Sequence, residues 1–190
     1  MSAPTTFTPH QAKYFAHFLT REGLDEGEGL TQSLSSARVD LNPHQVDAAM
    51  FALRSPLSKG VLLADEVGLG KTIEAALVLS QRWWERQRHL LLIVPASLRK
   101  QWAQELHEKF SLPSVILDAK RVKDLAKAGK PNPLGAAEGV VILSYEYASR
   151  IADQLRSVPW SLVVFDEAHK LRNVYRAAEN SRSAILRDAL

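Results

Sequence analysis

From about residue 43 onward the chain alternates between two hydrophobic patterns. One is the unbroken apolar run. "GVLLAD" (60–65), "LLLIVP" (ending at Pro95), "SVILD" (114–118), "VVILS" (140–144) and "LVVFDE" (162–167) are each short and apolar throughout. Such runs predict strands buried on both faces. The other is the helical stripe. Ile73, Ala76, Leu77 and Trp84 predict a helix over 72–86, and Leu98, Trp102, Leu106 and Phe110 predict another at four-residue spacing. Asn42-Pro43 supplies a cap and a first-turn proline for a helix through "HQVDAAMFALRS". "AKAGKPNPLGAAEG" (126–139) predicts a surface loop. Buried strands alternating with amphipathic helices predict an α/β fold: a parallel sheet with helices on both faces.

The first 36 residues differ from the rest. Thr8 and Pro9 start a predicted helix carrying Phe7, Tyr14, Phe15, Phe18 and Leu19, and an acidic, then serine-rich, connector over 22–36 follows. The expected organisation is an accessory N-terminal arm, 1–36, and a compact domain, 37–190. An aromatic arm of this kind offers a docking element for a protein partner.

Composition narrows the class without fixing it. The 190 residues are 46% hydrophobic and 24% charged, enough for one sizeable core, and the net charge of +3 permits a nucleic-acid partner without requiring one. With no cysteine there is neither a disulfide framework nor a thiolate metal site, which fits a cytoplasmic protein. The start carries no signal-peptide pattern, and no apolar stretch is long enough to span a bilayer. His10, His17, His89 and His107 have no ligand spacing. Trp83, Trp84, Trp102 and Trp160 read mainly as packing residues, and "RVKDLAKAGK" (121–130) reads as a solvated helix end.

Two motifs carry chemistry. In "LLADEVGLGKTIEA" (62–75), Gly68 and Gly70 permit a tight turn into a helix, so backbone N–H groups can converge on phosphate. Lys71 supplies a charge for the β- and γ-phosphates and Thr72 a hydroxyl for Mg²⁺. "LVVFDEAHK" sets Asp166 and Glu167 just past an apolar strand, where an open parallel sheet binds ligands. Asp166 is suited to hold Mg²⁺, and Glu167 to act as general base on the attacking water.

With these motifs in order, the chain resembles the Snf-type branch of helicase superfamily two. "LNPHQ" (41–45), "DEVGLGKT", "LIVPASLRKQW" (92–102), "ILSYEYAS" (142–149) and "DEAHKLRN" carry the resemblance over about residues 37–175. It implies a RecA-like lobe of the P-loop NTPase class that binds ATP and Mg²⁺. Within it, Asp65, Glu66, Val67, Gly68, Leu69, Gly70, Lys71 and Thr72 would form the nucleotide-binding segment. Gln45 would read adenine, and His169 would couple the nucleotide site to the DNA site or a second lobe. Ser97, Leu98 and Arg99 would meet a nucleic-acid backbone. The resemblance further implies an ATP-driven translocase on double-stranded DNA that needs a second RecA-like lobe to supply arginine fingers. The strand of the family's third motif is expected past residue 190, between the phosphate-loop strand and the "FDEAH" strand. The lobe is therefore expected to be incomplete, and weak or inactive alone. The motor of a restriction or anti-phage defence system, and a nucleotide-binding module without turnover, are the alternative readings.

Overall fold

The computed structural model describes residues 28–54, 60–64, 69–129, 133–172 and 181–190. The expected helix after Pro9 lies outside them. The chain divides into two compact units, 1–84 and 85–190.

The first unit contains α1 (Glu28–Ser36), α2 (Pro43–Arg54) and α3 (Lys71–Trp84). Residues 28–36 were expected in a connector, yet they form a helix. Leu30 and Leu34, one turn apart, are buried, and the Ser33 hydroxyl lies 2.9 Å from Gln81 Oε1 of α3. At the end of α1, Ser36 Oγ accepts the Trp84 indole N–H. Trp84 is otherwise exposed, at the rim of this packing and off the buried stripe of α3. The α2 start is a half capping box: Gln45, third in the helix, accepts the Asn42 N–H through Oε1 at 3.1 Å.

One expected strand is absent. Residues 60–64 carry no strand, and Leu62 is 74% exposed. A strand exists only through pairing. The sheet formed by the described residues has four strands, and this run is not one of them.

The second unit is built on a four-stranded parallel sheet of β1 (Leu90–Val94), β2 (Ser114–Ile116), β3 (Val140–Ser144) and β4 (Leu162–Phe165), ordered β2-β3-β1-β4. The other four expected strands are therefore present. The central pair, β1 and β3, is fully buried, whereas the outer strands are partly exposed. Leu91 pairs with Val141, and Ile93 with Leu143. These four share one core with Ala148, Ile151, Leu155, Leu186 and Ala189 of the helical segments below. The alternate positions Leu90, Leu92, Val94, Val140 and Ile142 face the opposite way and are equally buried, so both faces of the sheet are covered.

The crossovers are helical. They are α4 (Arg99–Phe110), α5 (Ala119–Lys127), and the short α6 (Tyr145–Arg150) with α7 (Ala152–Arg156). A 3-10 turn (Ala168–Leu171) and α8 (Arg182–Ala189) follow β4. The α4 stripe behaves as expected, with Trp102, Leu106 and Phe110 buried. The expected loop after α5 is not wholly at the surface, because Leu134 is 2% exposed within the core cluster.

Candidate functional site

In the first unit the site residues converge on the entry to α3. Lys71 and Thr72 are its first two residues, and the N–H groups of a helix's first turn point along its axis toward the N-terminus. Gly70 precedes them at φ +95, a conformation that favours glycine, and a Cβ there would overlap Gln45 Nε2. The Gly70 carbonyl accepts from Ile73 N–H at 2.7 Å, opening the helix. Gln45 is buried and braces this turn, its Nε2 donating to the Leu69 carbonyl at 2.9 Å. His44 Nε2 lies 3.1 Å from the same carbonyl. Asp65, Glu66, Val67 and Gly68 lie outside the described residues.

In the second unit three neighbouring strands end together. β3 ends at Ser144 and runs into Tyr145, β1 runs into the turn holding Ser97 and Leu98 with Arg99 opening α4, and β4 runs into Asp166 and Glu167. The sheet order makes these ends adjacent at its carboxyl edge, where such sheets bind ligands. Ser97 is exposed, and Arg99 anchors its Nε on the Ala96 carbonyl at 3.2 Å.

Asp166 is held at every polar atom. Its N–H continues the ladder to the Ile93 carbonyl at 3.0 Å. Its carbonyl accepts the Tyr145 hydroxyl at 2.7 Å. Its Oδ1 accepts the Glu167 N–H and its Oδ2 the Trp102 indole N–H, both at 2.8 Å. Glu167 follows in the left-handed conformation, φ 55 and ψ 48, and its Oε2 lies 3.0 Å from His169 Nδ1. Burial, then the nearby Asp166 and Glu167 carboxylates, push the Tyr145 phenol well above its ordinary range, so it stays a donor.

Beside these residues a cavity of about 190 Å³ is lined by Tyr145, Glu146, Lys170, Leu171, Arg182, Ser183 and Leu186. The Glu146 carboxyl is held below its ordinary range, chiefly by its own backbone N–H and further by Ser144, Arg182 and Lys170, against desolvation. Arg182 pairs with it at 3.2 Å.

The donor chemistry fits Mg²⁺. A hard cation takes oxygen ligands, and the Asp166 carboxylate in the second unit is a donor of that kind, as the Thr72 hydroxyl at the entry to α3 is in the first. Each carboxylate oxygen accepts one hydrogen bond and keeps a second lone pair. Among the described residues no three ligating side chains cluster as a closed metal cage. Mg²⁺ does not require one, since it retains waters and binds through one or two carboxylates plus substrate phosphates.

Trp102 and Tyr145 are the site residues that sequence reasoning missed. The only signal available was that a buried indole or phenol needs a polar partner.

The parallel sheet, with its carboxylate pair beyond an edge strand, defines a RecA-like α/β lobe. The chain belongs to the SNF2-related domain family, whose sequence profile matches residues 10–186. It is 36% identical over 153 residues to the uncharacterised ATP-dependent helicase YqhH of Bacillus subtilis, a match covering 79% of this chain and 25% of that protein. It is 39% identical over 142 residues to the RNA polymerase-associated protein RapA of Pectobacterium atrosepticum, covering 73% of this chain and 14% of RapA. The SWI2/SNF2 ATPase core of Sulfolobus solfataricus, solved in complex with double-stranded DNA, superimposes with a TM-score of 0.60 at 25% identity, covering 74% of this chain and 28% of that one. The chain thus spans about a quarter or less of the curated relatives named. Among the described residues no helix is long and apolar enough to cross a membrane.

Proposed function

We propose that this chain is the ATP-binding part of a motor that couples ATP hydrolysis to movement along double-stranded DNA. The observation that carries the reading is the adjacency of two strand ends. The Asp166–Glu167 pair after β4 neighbours the Ser97–Arg99 turn after β1. Hydrolytic carboxylates beside a backbone-contacting turn are what coupling requires. The double-stranded DNA in the Sulfolobus neighbour's complex supports the choice of duplex.

The roles follow the donor chemistry. Asp65 through Gly70 are the phosphate-binding segment that the sequence motif implies, and Lys71 neutralises the phosphate charge. Thr72 and Asp166 hold Mg²⁺, which when bound offsets the phosphate charge. Glu167 takes a proton from the attacking water, and His169, within hydrogen-bond distance of Glu167, orients that carboxylate and couples it to the DNA side. Gln45 reads the adenine edge. Its amide has two N–H groups and two acceptor lone pairs, and Asn42 and Leu69 use one of each. A second RecA-like lobe supplies the arginine fingers. Phe7, Tyr14, Phe15, Phe18 and Leu19, ahead of α1, are a further docking element for a protein partner, and the cytoplasm is the compartment.

The test is steady-state ATP hydrolysis by the full-length protein with and without duplex DNA. Turnover that rises with duplex of unrelated sequences is expected. ATP binding without any turnover would replace the motor with a nucleotide-binding module.

A further inference from the structure

Trp102 is 3% exposed, and its place in the Leu106–Phe110 stripe accounts for the ring. Packing does not account for where the N–H points. The indole has a single donor, and it is spent on Asp166 Oδ2 at 2.8 Å, across 64 residues of sequence. With Oδ1 taken by the Glu167 N–H, the two bonds fix the plane of the carboxylate. Trp102 also lies one turn from the proposed nucleic-acid contact, its own N–H bonding the Leu98 carbonyl at 2.9 Å.

We propose that Trp102 is a positioning residue: its indole N–H orients the Asp166 carboxylate for the metal and ties that carboxylate to the start of α4. The inference rests on the reading of Asp166 as the metal-holding residue. It adds a physical route between two functions, because any displacement of Ser97–Arg99 by nucleic acid moves the first turn of α4 and with it the indole. Partners of this kind typically alter metal affinity or activity by about 10- to 100-fold when removed.

The test uses Trp102→Phe in the full-length protein, which keeps an aromatic ring in the stripe and deletes the N–H. Binding of a fluorescent, non-hydrolysable ATP analogue is titrated across Mg²⁺ concentrations, so no turnover enters the readout. Affinity without Mg²⁺ should match wild type, while the Mg²⁺ needed for half-maximal enhancement rises about 10-fold. An unchanged Mg²⁺ dependence overturns the proposal, as does an equal loss of affinity with and without Mg²⁺.

Asp166→Asn separates this inference from its premise. If that variant keeps the wild-type Mg²⁺ response, the metal reading of Asp166 fails and Trp102 has nothing to position. If it loses the response while Trp102→Phe keeps it, only the role of Trp102 fails. Should Trp102→Phe not fold, the indole N–H resonance of Trp102 in the wild type, assigned by replacing the other tryptophans singly, carries the test. It should shift when Mg²⁺ and the analogue are added and not in Asp166→Asn. A resonance that does not move overturns the proposal.

Discussion

Glu167 occupies a backbone conformation that a non-glycine residue adopts at a cost on the order of 1 kcal/mol or more. Its neighbours hold it there: Asp166 accepts its N–H, Lys170 N–H donates to its carbonyl at 2.9 Å, and His169 meets its carboxylate. The left-handed turn separates the two carboxylates into one fixed within the strand end and one turned toward solvent, which suits a metal holder and a base. Glu167→Gln should therefore keep nucleotide binding and lower kcat by roughly 10²- to 10⁴-fold. Single-turnover hydrolysis in the full-length protein checks this, and an unaltered rate removes Glu167 from the base role. Tyr145 gives a pH test. An unfolded tyrosine ionises near pH 10, while the folded phenol is held protonated above that. Its stabilising contribution is complete below about pH 10 and is lost as pH rises toward the folded value, because only the unfolded state then gains charge. Tyr145→Phe should lose about 1 kcal/mol at neutral pH through the bond to the Asp166 carbonyl, and should show a shallower fall in urea-unfolding free energy above pH 10. At this scale the sequence displays the carboxylates, which follow an apolar run directly, but not Trp102 or Tyr145. Their partners stand 64 and 21 residues away, and periodicity reports burial of a ring without reporting the direction of its polar atom.

The entry to α3 shows how separate elements fix one turn. Gln45 belongs to α2, yet its amide closes the start of that helix and holds the carbonyl of Leu69, while the space a Gly70 side chain would need is already taken by Gln45 Nε2. Gly70→Ala should lose about 1–3 kcal/mol of stability, from the positive φ and the displaced amide together, and should weaken ATP binding. Gln45→Ala relieves the overlap, so the two losses should fall short of additivity in a double-mutant cycle read by thermal unfolding. Simple additivity would mean the contact is not felt. Four strands were legible because β1 to β4 are apolar runs of strand length, and α4 was legible from its stripe. The run at 60–64 looks the same in sequence and forms no strand, since a run records readiness for burial and not the presence of a partner. Helix α1 was hidden for the converse reason. Its serines read as linker chemistry, while Ser33 and Ser36 in fact meet Gln81 and Trp84, each 48 residues along the chain.

For the molecule as a whole, family membership rests on a profile match that runs through both compact units, from residue 10 to residue 186. A net charge of +3 over 190 residues is too small to make the surface a general polyanion sponge. On the proposed function, duplex binding comes from particular contacts, and the proposed Ser97–Arg99 contact is the one that lies beside the Asp166–Glu167 pair. Contacts to the phosphate backbone position a protein without reading sequence, and each cationic contact releases counterions and adds to the salt dependence. Arg99→Ala in the full-length protein should therefore weaken duplex binding by a similar factor on unrelated sequences. It should also reduce the slope of log affinity against log salt by about one. Equilibrium binding to two unrelated duplexes over a salt series measures both quantities. A loss confined to one sequence would make Arg99 a base reader, and an unchanged slope would remove it from the backbone contact, leaving Ser97 and the backbone amides of the turn to meet the duplex without a charge.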